Sequence, residues 1–157
     1  MGYTHYWSFV STRGKSRKIE SLYQKAVLEC AQVVRYWYTR QGGISGYTAH
    51  TKPGDYGGIL FNGKGDNACE DFVLREHFTQ NDNFNFCKTN RYEYDILVVA
   101  CLAILTYRLG DAIQVSSDGD TSDWAAGVNL AQTVLRRRVK IPPGIRPGKS
   151  KLRVVAS

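Results

Sequence analysis

Four short segments of the chain hold residue types that can do chemistry. The most cationic of them is FCKTNRYEYD, Phe86 to Asp95. Lys88, Thr89 and Arg91 stand at or just before the expected start of an apolar helix. A helix N-terminus offers free amides and partial positive charge. With a Lys and an Arg beside it, it makes an anion site. Arg grips a phosphate through two parallel hydrogen bonds, and Lys adds a point charge. The competing reading is that Asn90 caps the helix, with Glu93 closing a capping box, while both cations face water. The second segment is VSSDGDTSDW, Val115 to Trp124, on an expected strand-to-helix turn. Asp118, Asp120 and Asp123 mimic the start of a calcium loop. Asp123 stands where that loop needs Gly, and Asn129 where it needs Glu, so a calcium hand is not expected. Ser117, Asp118 and Asp120 remain as contacts to a sugar or base, or as plain helix caps.

The third segment is the opening strand YTHYW. His5 is a possible acid or base, and Trp7 can stack on a base, although both residue types are more often structural. The fourth is FNGKGDNACEDF, with Asn62, Asp66 and Glu70 as polar contacts. It is not a phosphate loop, because GxxxxGK[ST] is absent and no GxGxxG opens a helix. No serine elbow, HExxH or paired-thiol motif occurs.

These segments must be held by elements that periodicity suggests. Tyr3, His5, Trp7 and Phe9 alternate along a strand. From Ile19 to Trp37, apolar residues recur at helical spacing, with Ser16 as a cap and Gly42-Gly43 as a stop. Residues 42–58 are glycine-rich and read as a long loop of the kind that often forms a lid. GILFN is a strand, Glu70 to Phe78 reads as another strand or a helix, and Thr79 to Asn85 as a loop. A helix from Asn90 to about Leu109 is apolar all round and must be buried. Ala112 to Ser116 is a strand, and a last helix starts near Thr121. Pro142-Pro143 bars any helix beyond it. The expected fold is α+β: one domain over 1–138, a small mixed or antiparallel sheet packed with about three helices, in the order β-α-β-β-α-β-α. A basic tail follows over 139–157.

Composition sets the outer bounds. The 157 residues suffice for one core without metal or disulfide. Four scattered cysteines, Cys30, Cys69, Cys87 and Cys101, read as free thiols in a reducing compartment, the cytoplasm. The N-terminus has no signal-peptide pattern, and no apolar run is long enough to span a bilayer. The formal charge is +7 and is uneven. Arg136, Arg137, Arg138, Lys140, Arg146, Lys149, Lys151 and Arg153 carry +8 in the last 22 residues, leaving the body at −1. Such a segment suits nucleic acid or an acidic protein face, or is simply solvated.

The motif set MGYTHYW, FNG followed by ACEDF, FCKTxRxxYD and VSSDGDxxDW resembles a family of small phage, prophage and bacterial proteins. The resemblance covers most of residues 1–135 and excludes the glycine-rich loop and the basic tail. It implies a phage-accessory setting in the host cytoplasm, with anti-defence as the suggested role. It carries no established activity.

The reading favoured by these residues is a binder that sequesters a small phosphorylated, nucleotide-like ligand without a cofactor. His5, Trp7 and Tyr94 would line the pocket, with Asn62 as a further polar contact. Lys88, Thr89 and Arg91 would hold phosphate, and Ser117, Asp118 and Asp120 would meet sugar or base. One alternative is a phosphodiesterase or nuclease, with Asp95, Asp118 and Asp120 holding magnesium or manganese and His5 as acid or base. Another is an inhibitor that engages nucleic acid or a host protein through the basic tail. A homo-oligomer is left open.

Overall fold

A computed structural model describes residues 2–10, 16–45 and 58–148. The element order is β1 (Thr4–Phe9), α1 (Ser16–Gln41), β2 (Ile44–Ser45), β3 (Ile59–Gly63), β4 (Phe72–Leu74), β5 (Phe84–Lys88), α2 (Asp95–Leu109), β6 (Ile113–Ser117) and α3 (Thr121–Leu135). The strands form two small antiparallel sheets, β5-β1-β6 and β2-β3-β4, and the domain is α+β as the sequence suggests. Most of the loop over 42–58, the first half of the basic stretch from Arg13 to Lys18, and Lys149, Lys151 and Arg153 lie outside the described residues.

Helix α2 is the centre of the core. Ten of its residues are buried, from Leu97 through Leu105 and at Leu109. An all-round apolar helix can shed water only by being covered on every side. Helices α1 and α3 pack against it, and the inner face of β5-β1-β6 closes the same core. The α2–α3 approach depends on Gly127. A Cβ there would meet Val99 Cγ1 at 2.4 Å and the Ile96 carbonyl oxygen at 2.8 Å. Helix α1 lays down the expected stripe, with Ile19, Tyr23, Ala26, Val27, Cys30 and Val34 buried. It ends at Gly42 and Gly43, both with positive φ, where glycine costs least.

Four expectations are corrected. Asn90 does not cap α2. Asn90 and Arg91 both have positive φ, 58° and 61°, and the helix begins four residues later at Asp95. No capping box forms between Asn90 and Glu93, since Tyr94 holds the N-cap position. The strand placed at 70–78 shrinks to Phe72–Leu74, followed by a short 3-10 turn at Phe78–Gln80. Two strands were not anticipated, β2 and β5. β5 begins at Phe84, inside the stretch read as loop, because Phe84 and Phe86 face outward and hide the usual apolar-inward pattern. Finally, residue 138 is no boundary. Val139 and Ile145 are buried in the core, and Thr121 N donates to the Arg146 carbonyl at 3.0 Å. The segment to Gly148 is therefore part of the domain.

Candidate functional site

The sheet β5-β1-β6 sorts the expected site residues by strand alternation, since successive side chains point to opposite faces. His5 pairs across to Cys87 and Ser117, and all three face the helices. Thr4 pairs with Lys88, Tyr6 with Phe86 and Ser116, and Ser8 with Phe84 and Gln114. This second set faces away from the helices. Asp118 follows β6 on that side, where its Oδ2 accepts from Thr4 N at 3.0 Å. The end of the sheet thus gathers the turns at 88–91 and 117–120, but the sheet itself divides their side chains. Lys88 and Asp118 are on the open face; His5, Thr89, Arg91 and Ser117 are on the helix side.

On the helix side the polar groups are engaged with one another. His5 is fully buried. Its Nε2 lies 2.7 Å from Asp95 Oδ1 and its Nδ1 2.8 Å from Ser117 Oγ. A carboxylate only accepts, so Nε2 carries the hydrogen toward Asp95. Thr89 Oγ1 donates to the same Asp95 oxygen. Tyr3 and Trp124 stand edge-on to the imidazole at 5.1 and 5.3 Å. The Ser117–His5–Asp95 order is that of a nucleophile relay. The amides that an oxyanion would need are already committed: Asp118 N to Thr4 O, Gly119 N to Ser117 Oγ, and Asp120 N to Asp123 Oδ2. The network acts as a clamp joining β1, β6 and the start of α2.

Arg91 lies over the Tyr3 ring at 4.0 Å and bonds Asp123 Oδ1 at 2.8 Å. The Tyr3 hydroxyl is buried with no hydrogen-bond partner among the described residues. Burial first, and then the Asp95 carboxylate, push its pKa up to about 12. The anion site expected at α2 is not formed from helix amides. Asp95 N, Ile96 N and Leu97 N donate to Tyr92, Glu93 and Tyr94 carbonyls, and the Asp95 carboxylate already occupies that end.

Four further expected contacts are structural. Tyr94 is buried, its hydroxyl on the Glu70 carbonyl at 2.7 Å. Asn62 spends its carboxamide on Gly63, Cys69 and Asp71, stapling the turn after β3. Trp7 is buried against Phe72. Asp120 is the N-cap of α3, with a full capping box to Asp123. The Ser122 hydroxyl, chiefly, holds its carboxyl below the ordinary range. Asp95, Asp118 and Asp120 therefore have separate partners. Among the described residues no group of three His, Cys, Asp or Glu stands close enough to hold a metal ion.

The open face is different in kind. Phe84 and Phe86 are 58% and 57% exposed, high for large apolar rings. Tyr6 stacks on Phe84 with ring centroids 6.3 Å apart and planes at 27°, and Phe84 lies 6.2 Å from Phe86. Lys88 continues the row on β5. A cleft of about 790 Å³ opens on this face, with Tyr6, Ser8, Phe84, Gln114 and Ser116 on its floor and Pro142 and Pro143 on its wall. A second cleft of about 670 Å³ adjoins it, sharing Thr106 and Pro143, and is lined by Arg137, Arg138 and Lys140. Sequence reasoning missed Tyr6, Phe84, Phe86 and Gln114. The signal was present in FNFCK, where both phenylalanines sit two apart and share one face.

The architecture is a three-stranded antiparallel sheet covered by helices on one side and open on the other, with an aromatic open face. No family model, curated protein or solved structure matches the chain. No helix among the described residues is long and apolar enough to cross a membrane.

Proposed function

We propose that the protein binds a phosphorylated, nucleotide-like ligand on the open face of the β5-β1-β6 sheet. The supporting observation is the exposed aromatic row of Phe84, Phe86 and Tyr6, ending in Lys88, of which Tyr6 and Phe84 line a cleft of about 790 Å³. Exposed rings on a flat sheet stack on bases, at about 1–3 kcal/mol per base. Ser8, Gln114 and Ser116 supply donors and acceptors for base edges, and Lys88 supplies the charge for phosphate. Of the contacts expected from sequence, Lys88 and Asp118 belong to this surface. His5, Thr89 and Ser117 hold the strands that carry it.

The setting follows the motif resemblance: an accessory protein of phage type that sequesters its ligand in the host cytoplasm. Titration calorimetry with a panel of mono- and dinucleotides tests the binding. Micromolar affinity in the native protein, lost in Phe84→Ala/Phe86→Ala and kept in Arg91→Ala, supports the open face. Loss in Arg91→Ala with no effect of the phenylalanines moves the site to the helix side. Absence of heat with every ligand rejects the reading.

A further inference from the structure

The two adjoining clefts differ in what they offer, and the difference points to a longer ligand than one nucleotide. The first presents ring faces and neutral hydrogen-bonding groups, with Asp111 as the one acid among the described residues on its lining. The second is lined by three cations. Each is of the size that holds a drug-sized molecule, about 300–1,000 Å³, so the pair exceeds the needs of a single nucleotide. Arg138 and Lys140 are exposed and have no acidic partner among the described residues. Arg137 is held by Glu29 through Nη1 and lies over the Tyr107 ring at 4.3 Å. Its other edge, Nε and Nη2, is buried with no acceptor among the described residues. That edge is closed to solvent, so Arg138 and Lys140 are the cations that this cleft presents to a phosphate.

We infer that the ligand is single-stranded nucleic acid, its bases stacked on Tyr6, Phe84 and Phe86 and its backbone crossing the Pro142–Pro143 wall to Arg138 and Lys140. The inference rests on the open-face reading of function and extends it. A stacking platform beside a cationic groove is what sequence-tolerant single-strand binding requires. A duplex does not fit, because stacking between successive base pairs hides the ring faces that the platform would stack on. The chain's net charge of +7 adds long-range attraction for a polyanion.

The test is fluorescence anisotropy with end-labelled oligothymidylate and oligouridylate of 2, 6 and 12 nucleotides, with thymidine and uridine monophosphates as unlabelled competitors. Affinity should rise with length until both clefts are filled. With about three phosphate contacts, it should fall about 20-fold between 50 and 200 mM salt. Arg138→Glu/Lys140→Glu should remove most of that salt dependence and the length dependence, leaving monophosphate binding intact. Phe84→Ala/Phe86→Ala should abolish both. Circular dichroism checks that each variant folds. If monophosphates bind and added length gains nothing, the open-face function stands and the single-strand inference is overturned. If neither monophosphate nor oligomer binds, both fall. Equal competition by polyglutamate, or self-association through the phenylalanine face at the concentrations used, also overturns the inference.

Discussion

The two faces of strand β1 are built from alternate residues of one short segment, yet they follow opposite rules. Inward, Tyr3, His5, Trp7 and Phe9 are all buried, and His5 has both nitrogens bonded. Outward, Tyr6 joins two phenylalanines that are more than half exposed and, among the described residues, touch only each other and Tyr6 among aromatic rings. Burying an apolar ring is favourable, so leaving two of them in water forgoes stability. A buried histidine with two partners does the reverse, tying three elements together at the cost of ordering them. Polar residues in a turn thus prove to be scaffold, and apolar residues on a strand prove to be the available surface. A protein's chemistry-bearing residue types are not by themselves its binding residues.

This contrast separates stability from binding, and variants can break it. The largest effect is expected on the inner face. His5→Ala leaves Asp95 and Ser117 without their imidazole and opens a void between Tyr3 and Trp124. It should cost about 3–4 kcal/mol in denaturant unfolding. Gly127→Val, which drives a side chain into Val99 and the Ile96 carbonyl, should cost about 2–3 kcal/mol by overpacking, read in the same way. Neither should change the affinity of the remaining folded protein.

Glu29 gives the next effect. Arg108 grips both its oxygens at 2.8 and 2.9 Å, and Arg137 bonds one of them. Burial works to raise its pKa, but the two arginines overcome that and hold the carboxyl below its ordinary value. A depressed carboxyl contributes stability above its unfolded pKa of about 4.3, and that stability is lost as pH falls through the lower folded value. Glu29→Gln should therefore cost about 2 kcal/mol at neutral pH and flatten the acid limb of the unfolding curve. Tyr3 carries the opposite sign. Its raised pKa contributes stability that is full below about 10 and lost as pH climbs toward about 12. Tyr3→Phe should leave neutral stability within about 0.5 kcal/mol, since the hydroxyl has no hydrogen-bond partner among the described residues, and reduce the alkaline loss. The smallest change in stability is expected outside. Phe86→Ser should move unfolding by no more than about 0.5 kcal/mol while weakening nucleotide binding about ten-fold or more.

Much of the fold was legible because its signals are local. The alternation of β1, the stripe of α1 ended by Gly42-Gly43, the apolar α2 and the Asp120 cap each reside in a few neighbouring residues. What escaped depended on distant partners. β5 reads as loop because its two phenylalanines face out, and only pairing with β1 makes it a strand. Asn90 fits a cap by type and spacing, but positive φ at Asn90 and Arg91 carries the chain past Tyr3 before α2 begins. The chain-distant turns 88–91 and 117–120 lie at the same end of the sheet, on either side of β1. That β1 would pass between their side chains was not readable, because register sets which residues share a face.

The most direct measurement is a backbone amide NMR titration of the intact protein with a short oligothymidylate. Saturable shifts are expected at Tyr6, Ser8, Phe84, Phe86, Lys88 and Ser116, with His5, Asp95 and Trp124 nearly still. Shifts centred on Arg91 and Asp123, with the β5 amides unmoved, would contradict binding on the open face.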